Sequence, residues 1–445
     1  MSRSRKPRRL PAEPVELTIE SLSHDGRGVG HIGGAGGKTV FVDGALPGER
    51  VCCRLVRKHK TYDEGVVAAV LEPSPQRVQP RCLHASVCGG CSLQHLAPEA
   101  QIAAKQQVLL DHLARIGKVM PQEILPPLCG PQWGYRTRAR LGVKYVHKLQ
   151  RVLVGFREKR KPQLAELTRC EVLHPIIGER ITELAGLIGG LEAHTRIPQI
   201  EVAIGDDAAA LVFRNLDPLS EHDAALLRDY GGRSRLHIYL QPAGPDSIHL
   251  LWPERSELSY ALPNHDLRLA FRPTDFTQVN RAINGAMIEL ALESMAVQPG
   301  DRILDLFCGL GNFTLPLARH CAHVVGVEGE VGLVHRARDN AVRNGITNAE
   351  FHVANLAEDI APYPWLKQPF DKLLLDPPRS GAREVIPVIA RLGCRRIVYV
   401  ACNSSSLARD ADLLVHAHGY RLVKAGVMDM FPHTAHVESI AVFEK

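Results

Sequence analysis

The chain has no run of about 18 consecutive apolar residues, so no membrane-spanning helix is expected. Its basic start (Arg3, Arg5, Lys6, Arg8, Arg9) has no apolar stretch behind it, so a secretory signal is not expected. Net charge is scarce: the total is +6, and that tail supplies five of those charges. The rest is nearly neutral, so any polyanion must be held by a local patch. There is no internal repeat. What the chain does have is cysteine, eleven in all. An odd number with tight local spacing reads as metal ligation in a reducing compartment, not as a disulfide framework, and a cytoplasmic protein is expected. At 445 residues and 45% hydrophobic content, two or three domains are expected.

Three cysteines lie close together, Cys82, Cys88 and Cys91, in the spacing C-x5-C-x2-C with Gly89-Gly90 between the last two. Cys170 is a fourth candidate far downstream. Four thiolates converging on one point mean a metal centre. Cys402 stands apart, after the apolar run ending at Ala401 and before Asn403-Ser404, and reads as a nucleophile instead of a ligand.

Residues 1–12 read as a basic tail. In 13–72, alternating Val15, Leu17 and Ile19, glycine-rich turns and the later runs around Val51 and Val66 predict a small OB-like β-barrel. Residues 98–119 predict a helix opened by Pro98-Glu99, with Ile102, Val108, Leu109, Leu113 and Ile116 as its apolar stripe. Residues 120–268 mix short strands and loops, with one helix near 175–190. From Asp301 onward β and α alternate. Strands are expected at 302–307, 323–328, 350–354, 372–376, 396–401, 421–428 and 436–443. That pattern predicts a doubly wound α/β domain. The expected division is a barrel (13–72), a central α+β domain (73–97 and 120–268) and a Rossmann-like domain (98–119 and 269–445).

Strand one of that domain runs into Asp305-Leu306-Phe307-Cys308-Gly309-Leu310-Gly311-Asn312-Phe313. Two glycines in a strand-to-helix turn let backbone approach a ligand, and Glu328, closing the next strand, can bind ribose hydroxyls. Asn355 and Asp376-Pro377-Pro378-Arg379 close strands three and four on the same edge. The turn lacks the third glycine of a dinucleotide fingerprint; with the Asp-Pro-Pro-Arg motif this favours S-adenosylmethionine over NAD.

A thiolate beside a methyl donor suggests pyrimidine chemistry. C5 of a uracil is a poor nucleophile until a thiolate adds at C6 and turns the ring into an enolate. A base must then remove the C5 proton, and Glu438, in Phe431-Pro432-His433-Thr434-Ala435-His436-Val437-Glu438, is the candidate. These motifs, with Phe276-Thr277-Gln278-Val279-Asn280, resemble those of the RNA uracil-C5 methyltransferases. The barrel resembles a TRAM domain. Cys82, Cys88, Cys91 and Cys170 match the [4Fe–4S] ligands of the 23S ribosomal RNA branch, and having both features points to its U1939-modifying members. The resemblance implies a cofactor site of Gln278, Phe307, Asn312, Glu328, Asn355 and Asp376, with Cys402 as nucleophile and Glu438 as base. It leaves open another uridine, or two ribosomal positions.

RNA contact is expected between Arg136 and Lys161, which hold ten Lys or Arg and one acid, Glu158. Arg136, Arg138, Arg140 and Lys144 are the leading candidates, with Tyr135, Tyr145 and Phe156 as stacking partners. Arg54, Arg57, Lys58, His59 and Lys60 form a second basic cluster in the barrel. A radical enzyme would carry C-x3-C-x2-C, and a cytosine-C5 enzyme a cysteine where Arg379 stands. A non-catalytic RNA-binding metalloprotein would leave Cys402 and Glu438 without work.

Overall fold

The computed structural model describes residues 13–34 and 36–445; the basic tail expected at 1–12 lies outside them. Two compact units are present. The first holds the described residues up to Ser86, with Gly90–Val108 and Pro432–His436; the second holds Val87–Gly89, Leu109–Phe431 and Val437–Lys445.

In the first unit, β1 (Val15–Leu22), β2 (Gly28–Ile32), β3 (Lys38–Asp43), β4 (Arg50–Lys58) and β5 (Tyr62–Glu72) close into a barrel in the order β1-β2-β3-β5-β4. Its interior is the alternating set seen in the sequence: Leu17, Ile19, Val40, Val42, Val51, Cys53 and Leu55. Each such side chain stabilises by roughly 1.5–3 kcal/mol when fully buried. Below the barrel, buried Glu49 receives the Arg77 guanidinium at 2.5 and 2.7 Å and the Leu46 N–H at 2.8 Å. This pairing holds the Glu49 carboxyl below its usual range although burial works against it.

Helix α1 (Pro98–His112) starts where Pro98-Glu99 predicted but does not continue regularly to residue 117. Leu113–Gly117 form a π turn, which inserts an extra residue per turn and rotates the stripe. Leu109 and Leu113 are buried, whereas Ile116 is exposed and Gln101 and Lys105 take buried places.

The second unit holds two large sheets. After the short β6 (Glu123–Ile124) come β7 (Arg138–Val146), β8 (Arg151–Gly155), helices α2 (Pro175–Gly178) and α3 (Ile181–Gly189), β9 (Gln199–Ile204), β10 (Ala209–Arg214), α4 (Glu221–Ser234), β11 (Leu236–Gln241) and β12 (His249–Trp252). The strands pair as β12-β11-β10-β9-β7-β8. This central segment is more regular than its sequence suggested. The helix expected near 175–190 is present, split at Glu179-Arg180, and α4 was not foreseen. The helices bury Ile181, Leu184, Ile188, Leu227 and Tyr230 against Leu141, Ile200, Val202, Phe213 and Ile238 of the sheet.

A hairpin of β13 (Leu258–Leu262) and β14 (Leu267–Phe271) leads through α5 (Arg281–Met295) to the second sheet. Its elements are β15 (Arg302–Leu306), α6 (Thr314–Ala318), β16 (His323–Glu328), α7 (Val331–Arg343), β17 (Ala349–Val353), β18 (Lys372–Leu375), α8 (Ile386–Ile389), β19 (Arg396–Ala401), α9 (Ser404–Asp412), β20 (Arg421–Met428) and β21 (Glu438–Glu444). The strand order is β17-β16-β15-β18-β19-β21-β20-β6. All seven strands expected here are present, and the doubly wound architecture stands. Strands β15 to β19 are mutually parallel, and β21 enters antiparallel between β19 and β20. Among the described residues no helix is long and apolar enough to cross a membrane.

Candidate functional site

The sheet order reverses at β15, and a crevice opens there at the carboxyl edge. Phe307, Glu328, Asp376 and Cys402 each end or directly follow a parallel strand on that edge, and Asn355 lies two residues beyond the end of β17. The turn after β15 is tightly wound: Phe307 (φ 66°), Gly309 (φ 56°) and Gly311 (φ 95°) are all left-handed, a shape that needs glycine at two of its three positions. It presents backbone to the crevice. Glu328 accepts the Gly309 N–H at 3.1 Å, and its other oxygen accepts the N–H groups of Gly329 (2.7 Å) and Glu330 (3.1 Å).

Not every residue expected here reaches the crevice as an open side chain. Asn312 exchanges amide hydrogen bonds with Asn284 at 2.9 and 3.0 Å and accepts from the Tyr260 hydroxyl at 2.7 Å, so it ties the turn to α5 and β13. Asn355 caps its own loop, accepting from Ala357 N–H and donating to Glu358. Gln278 is half-buried, in the segment that Asn280 ends by capping α5. Beside it Phe276 stands 68% exposed, a large apolar surface.

Cys402 and Glu438 come together through strand register. In the antiparallel pair β19–β21, Val400 faces Ile440 and Ala401 faces Ser439. The next step places Cys402 opposite Glu438. Asp376 follows β18, the strand on the other side of β19. The electrostatics follow from this crowding. Burial pushes the Glu438 carboxyl up to about 8, with Asp376 adding to the rise and Arg379 opposing it. Asp376 rises to about 7, through desolvation and the nearby Glu328. The Cys402 thiol is pushed up to about 11 by burial, Glu438 and Asp376, again against Arg379. Beneath the turn, Asp305 accepts the Thr314 hydroxyl at 2.6 Å, and burial lifts its carboxyl to about 8.

In the sequence Arg379 ends a motif and stands where a cytosine-C5 enzyme would carry a cysteine. The structure gives it a charge role and shows how its loop is held. Asn403 donates to the Arg379 carbonyl at 3.2 Å, Arg409 to the Ser380 carbonyl at 2.7 Å, and the Ala382 N–H to buried Asp410 at 2.7 Å. Asp410 also accepts the Tyr399 hydroxyl at 2.8 Å. A strand–helix junction and an opposing loop are thus laced together around the thiol.

The four candidate ligand cysteines are each partly exposed, and no disulfide links the described cysteines. Cys82 donates its N–H to Gln94 Oε1 at 3.2 Å in the first unit. In the second, Cys88 forms a bridge with Glu158, Cys170 donates its N–H to the Gly178 carbonyl, and both pack on the rim of the central core. Among the described residues no group of three or more His, Cys, Asp or Glu is arranged to hold a metal ion.

The basic segment is divided by strand alternation. Arg138, Arg140 and Lys144 share one face of β7. Arg140 pairs with Glu201 at 2.8 Å, and Lys144 is exposed. Arg138 is drawn inward, donating to the Pro273 carbonyl, and burial lowers its pKa. Arg136 donates to the Arg138 carbonyl and lies over the Phe431 ring. The expected aromatic partners do not share this face: Tyr135 is buried, and Tyr145 and Phe156 pack against the core.

A family model described as tRNA (Uracil-5-)-methyltransferase matches residues 206–445, and one described as TRAM domain matches residues 8–68. The chain is similar to the 23S rRNA (uracil(1939)-C(5))-methyltransferase RlmD of Alkalilimnicola ehrlichii, with 55% identity over 99% of both chains. It is 53% identical to the protein of that name from Hahella chejuensis over 100% of both. Among solved structures, the Pyrococcus abyssi tRNA (uracil-54, C5)-methyltransferase in complex with S-adenosyl-L-homocysteine aligns with a TM-score of 0.73. That alignment covers 96% of this chain and 99% of that one; at 23% identity the likeness is one of fold.

Proposed function

Since the chain belongs to the family of RNA (uracil-5-)-methyltransferases, we propose that it methylates C5 of a uridine in 23S ribosomal RNA, U1939 as in the relatives' names. The observation that carries the chemistry is the β19–β21 register, whose last pair, Ala401 and Ser439, is followed by Cys402 and preceded by Glu438, with the Glu438 carboxyl acting on the Cys402 thiol. S-adenosylmethionine, when bound, supplies an electrophilic methyl group. Glu328 and the Gly309 backbone would hold its ribose, Gln278, Phe307 and Asp376 would line its site, and Asn312 and Asn355 would act by shaping the loops around it.

Cys402 loses its thiol proton to solvent and adds as the thiolate to C6 of the uracil, and the C5=C6 pair moves toward O4 as an enolate. C5 takes the methyl group, for which S-adenosylhomocysteine would be the leaving group, and holds both methyl and hydrogen. Glu438 as carboxylate removes that hydrogen as a proton, the C5=C6 bond re-forms, and the C6–sulfur bond breaks. Arg379 favours the ionised forms of both side chains.

Cys82, Cys88, Cys91 and Cys170 are assigned to a [4Fe–4S] cluster. The donor set fits one in its chemistry, four thiols outside any disulfide. A cluster there would cross-link distant segments, and no step of methyl transfer is routed through it. Arg136, Arg138, Arg140 and Lys144 are assigned to the RNA, with Arg138 acting from within. In this reading 13–72 is the TRAM barrel, 73–97 with 120–268 the central domain, and 98–119 with 269–445 the methyltransferase domain. A cytoplasmic location goes with such a substrate.

Labelled methyl transfer into 23S fragments, with mapping of the product, tests the activity. Cys402→Ala should abolish both methylation and any covalent RNA adduct. Glu438→Gln should accumulate a methylated protein–RNA adduct on denaturing gels. Normal turnover by Glu438→Gln, or an adduct with Cys402→Ala, would show the roles to be misassigned. Protein purified without oxygen should be brown, absorbing broadly at roughly 400 nm; colourless protein with one zinc per chain would remove the cluster.

A further inference from the structure

The six-stranded central sheet carries helices on one face only. Its other face opens into a cleft of about 1070 Å³. Strand register lays out the floor. Arg214 lies between Gln199 and Gln241 on the neighbouring strands, and in the next row Glu201 pairs with Arg140 while Val212 faces Tyr239. The alternate residues Ile200, Val202, Phe213, Ile238 and Leu240 point to the helices, so the polar set is committed to the open side.

The far wall is the chain running from Phe271 to Asp275 and the start of α7, from Glu330 to Arg336. Asp275 lies three residues before Gln278, and Glu330 two after Glu328. The cleft therefore leads to the crevice that holds the proposed reaction. Its charges are mostly matched: Arg140 takes Glu201, and Arg336 pairs with Asp275 and, at 3.8 Å, with Glu330. Among the described residues lining the cleft, Arg214 on the floor, Arg272 on the wall and Asp246 have no ion-pair partner. A floor of amides, one phenol and one unmatched guanidinium suits base edges better than a row of phosphates. Unpaired bases are what proteins read in RNA.

Resting on the proposed methylation of RNA, we propose that this cleft is a track for the unpaired nucleotides flanking the target uridine. Arg214, with the amides of Gln199 and Gln241, reads their bases and so helps to choose the site of modification. Arg214 lies outside the basic segment from Arg136 to Lys161, and a single arginine ending an apolar strand carries no local signal in the sequence.

The test is the binding of the full chain to a fluorescent RNA fragment containing the uridine, by anisotropy, with methyl transfer measured in parallel. Arg214→Ala and the size-conserving Arg214→Gln should each weaken binding about tenfold, the value of a bidentate base contact. S-adenosylmethionine affinity should hold. Fragments trimmed on the side that enters the cleft should bind wild type and variants alike. Wild-type affinity in both variants, or a loss that persists whichever side is trimmed, overturns the track. Because binding is read directly, wild-type protein that binds the fragment without methylating it would count against the activity and not against the cleft.

Discussion

At Cys402, burial and the carboxyls of Glu438 and Asp376 all disfavour the thiolate, while Arg379 opposes them. The resting protein thus keeps the Cys402 thiol, the proposed nucleophile, protonated and protected from adventitious alkylation. In cofactor-free protein, iodoacetamide labelling of Cys402, followed by mass spectrometry, should still be rising at pH 10, with a midpoint near 11. Glu438→Gln should lower that midpoint, since it removes a negative charge beside the thiol. A midpoint close to the free-thiol value of about 8.5 in both proteins would contradict this account. At this scale the sequence was informative about identity and poor about surroundings. Cys402 and Glu438 were recognisable by motif. That Asn312 is consumed by Asn284 and Tyr260, and that Arg138 turns inward, depends on residues dozens of positions away.

Among the elements, strands were the most legible. His323–Glu328, Arg396–Ala401 and Arg421–Met428 have the expected bounds because each is an apolar run closed by polar or glycine-containing segments. Helix α4 was hidden. It carries Gly231 and Gly232, each costing about 1 kcal/mol against alanine, and it holds through the Ser220 cap on Asp223 N–H and through packing on the sheet. Helix α5 shows the opposite case, an end with the wrong residue for its shape. Its cap Ala296 is left-handed at φ 49°, yet its carbonyl must stay in place to accept from Lys372. Glycine adopts that conformation freely and keeps the carbonyl. Ala296→Gly should therefore stabilise the protein by about 1 kcal/mol, read as a higher urea midpoint at unchanged slope. A lower midpoint would mean that the methyl group contributes packing that outweighs the strain.

For the molecule as a whole, three buried carboxyls set the response to pH. Asp305, Asp376 and Glu438 have folded-state values of about 8, 7 and 8, well above those of an unfolded chain. The folded protein therefore retains protons that the unfolded chain releases. Stability from these groups is complete below the ordinary carboxylate range and is lost as pH rises toward 8, at about 1.4 kcal/mol per unit for each group. Urea unfolding of cofactor-free protein should give less stability at pH 8 than at pH 6, and Glu438→Gln should flatten the slope. A rising curve over that interval would show that the carboxyls are already ionised.

Strand β21 has another consequence, for how the protein folds. It follows β20 in the chain yet lies between β19 and β20 in the sheet. Before β21 docks, β19 and β20 stand apart with a slot between them. Until residues 438–444 dock, each flank of the slot is an open edge able to pair with a stranger. Filling the slot also delivers Glu438 to Cys402. The insertion that closes the sheet between β19 and β20 is thus the same one that brings residue 438 to Cys402.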